Sequence, residues 1–230
     1  MTGNRRHIRW TLACLLLIAG LGRMAAQPRL HAPEMYLGLH GGVSASTMLF
    51  SPSVSHMSSP FTNGVVLGGN GGLVFRYAGH KVCGFQVELN YMHRGWREHS
   101  EEATYERHLH YVEIPFLTHL YFGKKSVRGF FNLGPQIGYC VADKSSGTIL
   151  GEAADHQYQP VDKAFDWGVA LGVGMYYRNA KAGVYQIEIR GNYSLGGVFG
   201  TRAVDYYSNA NPLDVSVNLA WLFPLNRKLK

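Results

Sequence analysis

Nine charged residues fall on the inner face of the strands that the sequence predicts, and they are the residues best placed to do chemistry. Only 16% of the chain is charged, so their concentration on one face is informative. Buried charges must pair, since an unpaired one costs several kcal/mol. The pattern predicts an interior charge network with a structural role, formed by Arg76, Glu88, Arg94, Glu113, Asp166, Arg178, Glu188, Arg190 and Asp214.

Two other kinds of chemistry are open to inward-facing residues. If residues 95–107 form a symmetric loop, Glu88 and Glu113 face each other on neighbouring strands and could share a proton. His93, His119 and several serines could supply the groups of a lipid-modifying barrel enzyme. No nucleophile, base and orienting acid have a spacing that predicts one active site. We therefore expect no enzyme, no cofactor and no metal site.

Residues 165–178 show which kind of element positions the charges. Positions of one parity are bulky and apolar, and those of the other are mostly glycine and alanine. A period of two predicts a β-strand. Because the small residues line one face, the bulky face must point outward, which is typical of a lipid-facing barrel strand. Taken alone, the segment also fits a strand in the core of a β-sandwich.

The same alternation recurs and predicts eight strands, at residues 35–43, 65–77, 82–94, 108–122, 129–141, 165–178, 184–195 and 213–223. Long connections (46–63, 95–107, 142–163 and 196–212) alternate with short ones (78–81, 123–128 and 179–183). An even strand count with this alternation predicts an all-β, eight-stranded antiparallel transmembrane barrel of the outer membrane, with short periplasmic turns and a periplasmic amino terminus. A soluble lipocalin-like barrel would reverse the two faces.

The first 26 residues predict a secretory signal peptide. A basic start, an apolar run and two small residues follow one another. The run is shorter than the roughly 20 residues of a membrane-spanning helix. This segment contains four arginines and no acid, so the net charge of +7 falls to +3 without it, from 18 basic and 15 acidic residues. We therefore expect no nucleic-acid partner. Residues 27–34 form a short N-terminal segment, and residues 224–230 form a basic tail.

Basic residues also gather in the predicted periplasmic turns. Such a rim could hold an acidic protein partner by electrostatic complementarity, although exposed turn lysines are usually only solvated. The residues of this predicted rim are Lys81, Lys124, Lys125, Arg128 and Lys181.

Three stretches carry a resemblance to a known family: Tyr111 and Glu113 to Pro115 in the fourth strand, the glycine ladder at 166–174, and residues 188–193. Over roughly residues 35–223 the chain resembles the outer-membrane β-barrel family of Bacteroidetes. Within that family it is most similar to the PorT proteins, which are associated with the type IX secretion system. The resemblance implies a non-enzymatic barrel, embedded in outer-membrane lipid, that assists protein secretion with protein partners. A passive structural barrel and a small-solute pore are the alternatives.

Overall fold

The computed structural model describes residues 33–52, 62–99, 104–123, 126–147, 161, 163–179, 182–199 and 207–226. The predicted signal peptide at residues 1–26 lies outside the described residues, as do residues 27–32 and 227–230. Within the described ranges, no helix has the length and apolar character needed to cross a bilayer.

Eight antiparallel strands form a closed barrel in which each strand pairs with the next and the first pairs with the last. The predicted fold class is therefore confirmed. The strands are β1 (Glu34–Pro52), β2 (Thr62–Ala78), β3 (Cys83–His99), β4 (Thr104–Phe122), β5 (Val127–Gly147), β6 (Phe165–Asn179), β7 (Gly183–Ser194) and β8 (Tyr207–Pro224).

Several strands run further than the sequence predicts at the end with the long connections, here called the loop end. The predicted loop at 95–107 is wrong, because β3 continues to His99 and β4 begins at Thr104. Trp96 of β3, which precedes the exposed Arg97, and Tyr105 of β4, which follows the exposed Thr104, are fully buried inside the barrel. The residues beside them in the chain face outward and are polar, and for this reason the sequence alone favours a loop there. A crossing needs only about 9–11 residues per strand, so these extensions project beyond the hydrocarbon layer.

The outer surface carries the bulky apolar parity of every strand, as the alternation predicts. Leu67, Leu133 and Leu171 are among the exposed side chains of this apolar belt, at 79%, 56% and 56% exposure. Aromatic side chains rim the belt at both ends, as they do in membrane barrels. They are Tyr91, Tyr139, Phe165 and Trp167 towards the loop end, and Phe122, Tyr177, Tyr185 and Trp221 towards the end with the short turns, here called the turn end.

Inside the barrel, two apolar clusters lie one at each end. The loop-end cluster consists of Met48, Met92, Trp96, Leu109, Tyr111, Val198, Phe199 and Ala210. The turn-end cluster consists of Tyr36, Val74, Tyr121, Phe130, Tyr176, Val184 and Leu222. Most of the charged inner residues lie between the two clusters, and the clusters separate them from water at both mouths.

Glycines on the inner face make room for this interior. At Gly172 in β6, an added Cβ would collide with the carboxylate of Glu188 on β7. At Gly41, on the outer face of β1, the nearest heavy atom to an added Cβ is the backbone oxygen of Asn70 at 3.6 Å, an ordinary contact. Glycine is thus required by packing at the first position and not at the second.

Gly172→Ala is expected to destabilise the barrel by about 1–3 kcal/mol, because the new methyl group displaces a fixed carboxylate. Gly41→Ala is the matched control and should change stability by no more than about 0.5 kcal/mol. Urea unfolding of the two variants in the same detergent measures both effects. Equal stability of the two variants would contradict the packing of the inner face.

Candidate functional site

The first part of the interior network is centred on Arg190 of β7. Its Nη1 donates to Glu88 Oε2 at 2.6 Å and its Nη2 to Glu88 Oε1 at 2.7 Å, which joins β7 to β3 across the lumen. Nη2 also donates to Glu188 Oε2 at 2.8 Å. All three side chains are buried. A bidentate arginine–carboxylate contact is among the strongest hydrogen-bonded pairs in proteins.

Arg76 of β2 joins this group through two amides. Its Nε donates to Gln86 Oε1 at 2.7 Å, and its Nη2 donates to Gln186 Oε1. Gln186 Nε2 in turn donates to Glu188 at 3.2 Å, and Gln86 donates to a carboxylate oxygen of Glu88. Two guanidinium groups and two carboxylates therefore form one balanced network, here called the Arg190 network.

The second part of the interior is centred on Arg94 of β3, here called the Arg94 network. The guanidinium pairs with Glu113 of β4, with Asp166 of β6 at 3.2 Å and with Asp214 of β8 at 3.4 Å. It also lies over the ring of Tyr111, at 4.8 Å from the centroid. One guanidinium faces three carboxyl groups, so full ionisation would leave two negative charges uncompensated.

Polar neighbours stabilise part of this excess negative charge. Ser194 donates to Asp166 Oδ1, and Asn192 Nδ2 donates to Asp214 Oδ1 at 2.7 Å. Asp214 Oδ2 accepts no hydrogen bond from the described residues and has only the 3.4 Å ion pair with Arg94 Nε. The Arg94 network is thus the electrostatically strained part of the interior.

Eight of the nine predicted interior residues lie buried in these two networks, and the ninth does not. Arg178 lies at the turn end, where its side chain is 39% exposed and pairs with Glu34 of β1. Its parity is inward, but it precedes the last residue of β6, where the barrel opens.

The predicted facing pair of Glu88 and Glu113 is wrong. Asn90 is the residue opposite Glu113, and the two glutamates belong to different arginines. A proton shared directly between them is therefore excluded.

Two histidines considered for catalysis lie on opposite faces of the barrel wall. His119 is buried inside, with Nδ1 at 2.7 Å from Asn132 Oδ1 and its ring against Phe130. His93 shares the outward parity of Tyr91 on β3. They cannot contribute to one site. Asn132 also donates from Nδ2 to Glu188 Oε1 at 2.8 Å and so links His119 to the Arg190 network. Sequence reasoning missed the bridging roles of Gln86, Gln186 and Asn132, although the inner parity of these amides was the available signal.

Two small cavities lie among the described residues of the lumen. A cavity of about 20 Å³ at the turn end is lined by residues that include Arg76, His119 and Arg128. Another, of about 10 Å³, lies between the two networks and is lined by residues that include His40, Asn90 and Glu113. Each has room for about one water molecule.

Residues 25–200 match the family model described as the outer membrane protein beta-barrel domain. The chain belongs to this family. It is an outer-membrane protein, with its apolar belt in the lipid and its short turns towards the periplasm. The family model describes outer-membrane barrels in general, so the match does not distinguish PorT proteins from other members.

Solved structures similar to this outer-membrane barrel have low sequence identity. OprG from Pseudomonas aeruginosa is 10% identical, with a TM-score of 0.49 over 86% of this chain and 99% of that one. Ail of Yersinia pestis is 12% identical, with a TM-score of 0.41 over 83% and 99%. The outer membrane enzyme PagL is 12% identical, with a TM-score of 0.35 over 83% and 99%. No curated protein sequence matches the chain.

Two residues of the predicted basic rim, Lys81 and Arg128, lie at the periplasmic end of this outer-membrane barrel. Lys81 is exposed in the turn between β2 and β3. Arg128 is in β5 and not in a turn as predicted; it is half-buried, with its guanidinium over the ring of Tyr121 and no hydrogen-bond partner for its Nε among the described residues. Lys124, Lys125 and Lys181 lie outside the described residues.

Glu34 completes the periplasmic mouth. Burial alone would raise the pKa of its carboxyl, but hydrogen bonds from Tyr36 and Arg178 outweigh this effect and lower it. Tyr36 Oη donates to Glu34 Oε2 at 2.7 Å, and Arg178 Nη2 donates to Oε1. The first and sixth strands are thereby joined beyond the apolar belt.

Glu34→Gln should lower stability at neutral pH by at most about 1 kcal/mol, because the pair is partly exposed. Glutamate with a lowered pKa contributes stability above its unfolded pKa, and this contribution is lost as pH falls through the folded pKa. The difference between variant and wild type should therefore vanish in acid. Urea unfolding at neutral and acidic pH, with Arg178→Gln and the double variant, measures the coupling. A difference that persists in acid would rule out this origin.

The charge balance of the two networks gives a second expectation. Glu113→Gln removes one uncompensated negative charge from the Arg94 network, so stability should stay the same or rise. Glu88→Gln breaks the balanced bidentate pair with Arg190 and should cost about 3–5 kcal/mol. Urea unfolding of both variants under identical conditions measures the contrast. Equal losses would contradict the assignment of the excess charge to the Arg94 network.

Proposed function

We propose that this protein is a non-enzymatic accessory or assembly component of protein secretion, which works through its surfaces and does not conduct the exported chain. The observation that carries this proposal is the filled lumen. Ion pairs and amides occupy its centre, and an apolar cluster occupies each end. An eight-stranded barrel is just wide enough for its own side chains, so a polypeptide could not pass.

Support for the secretion role comes from the sequence. The fourth, sixth and seventh strands carry the features that resemble PorT proteins of the type IX secretion system. Most of these residues lie inside the barrel, including Glu113 and Glu188. These residues support an interior like that of the PorT proteins. The link to secretion follows from the resemblance.

The periplasmic mouth is the surface best suited to a protein partner. The exposed Lys81 and the half-buried Arg128 present positive charge there. Lys124 and Lys125 add to this charge by their sequence position. An acidic partner would be attracted to such a rim, more strongly at low salt.

A passive structural barrel is the second candidate, because it needs the same filled interior. A small-solute pore fits less well, since the cavities described hold about one water molecule each. Against an enzyme, His93 and His119 lie on opposite faces of the barrel wall.

The proposal is tested by deleting the gene and then complementing the deletion strain. Deletion should block secretion, and the wild-type gene should restore it. A gene that carries Lys81→Glu, Lys124→Glu and Lys125→Glu together should restore less secretion. These substitutions reverse the rim charge at three positions that the sequence predicts to lie in turns, where they should not disturb the strands. Arg128 is left unchanged because it packs on Tyr121.

Lys144→Glu is the control for charge reversal, since Lys144 is exposed at the opposite end of the barrel. It should restore secretion fully. Membrane fractions should contain equal amounts of each variant. Normal secretion in the deletion strain would favour the passive structural barrel.

A further inference from the structure

Three histidines stand together on the outer wall of the barrel, just beyond the apolar belt at the loop end. His93 of β3 is the Cα partner of His110 of β4, and His108 lies two residues before His110, nearer the loop end. All three side chains are half-buried. They point away from the interior networks and play no part in the proposed function.

His93 and His108 meet through their ring nitrogens. Nε2 of His93 lies 3.1 Å from Nδ1 of His108. The two rings are 25° from parallel, and their centroids are 5.2 Å apart. This contact needs one donor and one acceptor, so the two nitrogens share a single proton between them.

Glu106 lies beside the second ring of the pair. Its Oε2 lies 3.5 Å from Nε2 of His108, the nitrogen that faces away from His93. Glu106 is itself held by an ion pair with Arg97. A carboxylate on the outer nitrogen favours the tautomer in which Nδ1 of His108 carries a free lone pair. Metal-binding histidines are commonly oriented by a carboxylate in the same way.

We propose that His93 and His108 bind one divalent transition-metal ion of the zinc class. Two nitrogens bound about 2.0–2.1 Å from a tetrahedral zinc ion lie about 3.3 Å apart. The observed separation of 3.1 Å between the two nitrogens is close to this value. The metal ion takes the place of the shared proton, and imidazole is a ligand that zinc, copper and nickel all accept.

The site has two protein ligands and keeps open positions for water. No group of three or more His, Cys, Asp or Glu side chains within the described ranges is arranged to hold a metal ion. His110 is engaged elsewhere, because its Nδ1 lies 2.7 Å from the hydroxyl of Tyr91. A bound ion would join β3 to β4 where both strands project beyond the belt, and would thus stabilise the loop end.

Isothermal titration of the purified barrel with zinc chloride tests the site, on protein without a histidine tag. The wild type should bind one zinc ion per chain. His93→Ala and His108→Ala should each lower the affinity by about tenfold or more, and Glu106→Gln should weaken it by a similar factor. His99→Ala is the control, because His99 is exposed on the same strand and contacts Thr104 instead.

Thermal unfolding gives a second readout, since an ion that binds only the folded state raises the midpoint. Zinc should raise the midpoint of the wild type and of His99→Ala, but not that of His93→Ala. If an alanine variant does not fold, His93→Gln or His108→Gln replaces it. Absence of saturable zinc binding by the wild type, or unchanged affinity on substitution of His93 or His108, would overturn the proposal.

Discussion

The neutralisation of charge inside a narrow barrel is the constraint on which the rest of this structure depends. Arg76, Arg94 and Arg190 are almost completely withdrawn from water. An isolated buried ion costs several kcal/mol, so each guanidinium must be surrounded by acceptors. Arg190 meets this need with two carboxylates, Arg76 with two amides and Arg94 with three carboxyl groups. Because several of these acceptors come from strands distant in sequence, such as Glu88 for Arg190 and Gln186 for Arg76, both networks can form only when the barrel is closed in the correct register.

The remaining features of the interior serve that network. Glycine on the inner face leaves space for Glu188, as the steric limit at Gly172 shows. The two apolar clusters lie between the charges and the solvent at each end, which keeps the local dielectric low and strengthens every ion pair between them. The same low dielectric makes the uncompensated charge around Arg94 costly. The outer face needs none of this and presents the apolar belt to lipid.

Alternation of residue size and polarity along the chain was sufficient to predict the fold. It gave the closed barrel, the outward belt and the burial of eight of the nine inner charges. The strand ends were less predictable, because Arg97 and Glu106 point outward above the belt and resemble loop residues in sequence. Trp96 and Tyr105, which alternate with them, are buried and continue the strands.

The partners within the site were harder to predict than its members. Parity fixes the face of a residue but not the register between strands, so Glu88 and Glu113 were paired wrongly; Asn90 is opposite Glu113. The inner parity of Gln86 and Gln186 indicates that these amides face the lumen, but it does not predict that they bridge Arg76 to the glutamates. Arg178 shows that inward parity does not ensure burial. It lies near the end of its strand, where an inward-facing side chain reaches the solvent at the opening of the barrel.

Membership of the outer-membrane barrel family is compatible with either an open or a filled lumen, so conduction is decided by the interior of each member. Here the side chains of the two networks and the two clusters occupy the space within the eight strands. The most direct measurement is the current through the purified barrel reconstituted in a planar lipid bilayer. A filled lumen predicts a current close to that of the lipid alone at either voltage polarity. A steady, stepwise conductance that scales with the number of inserted barrels would contradict it.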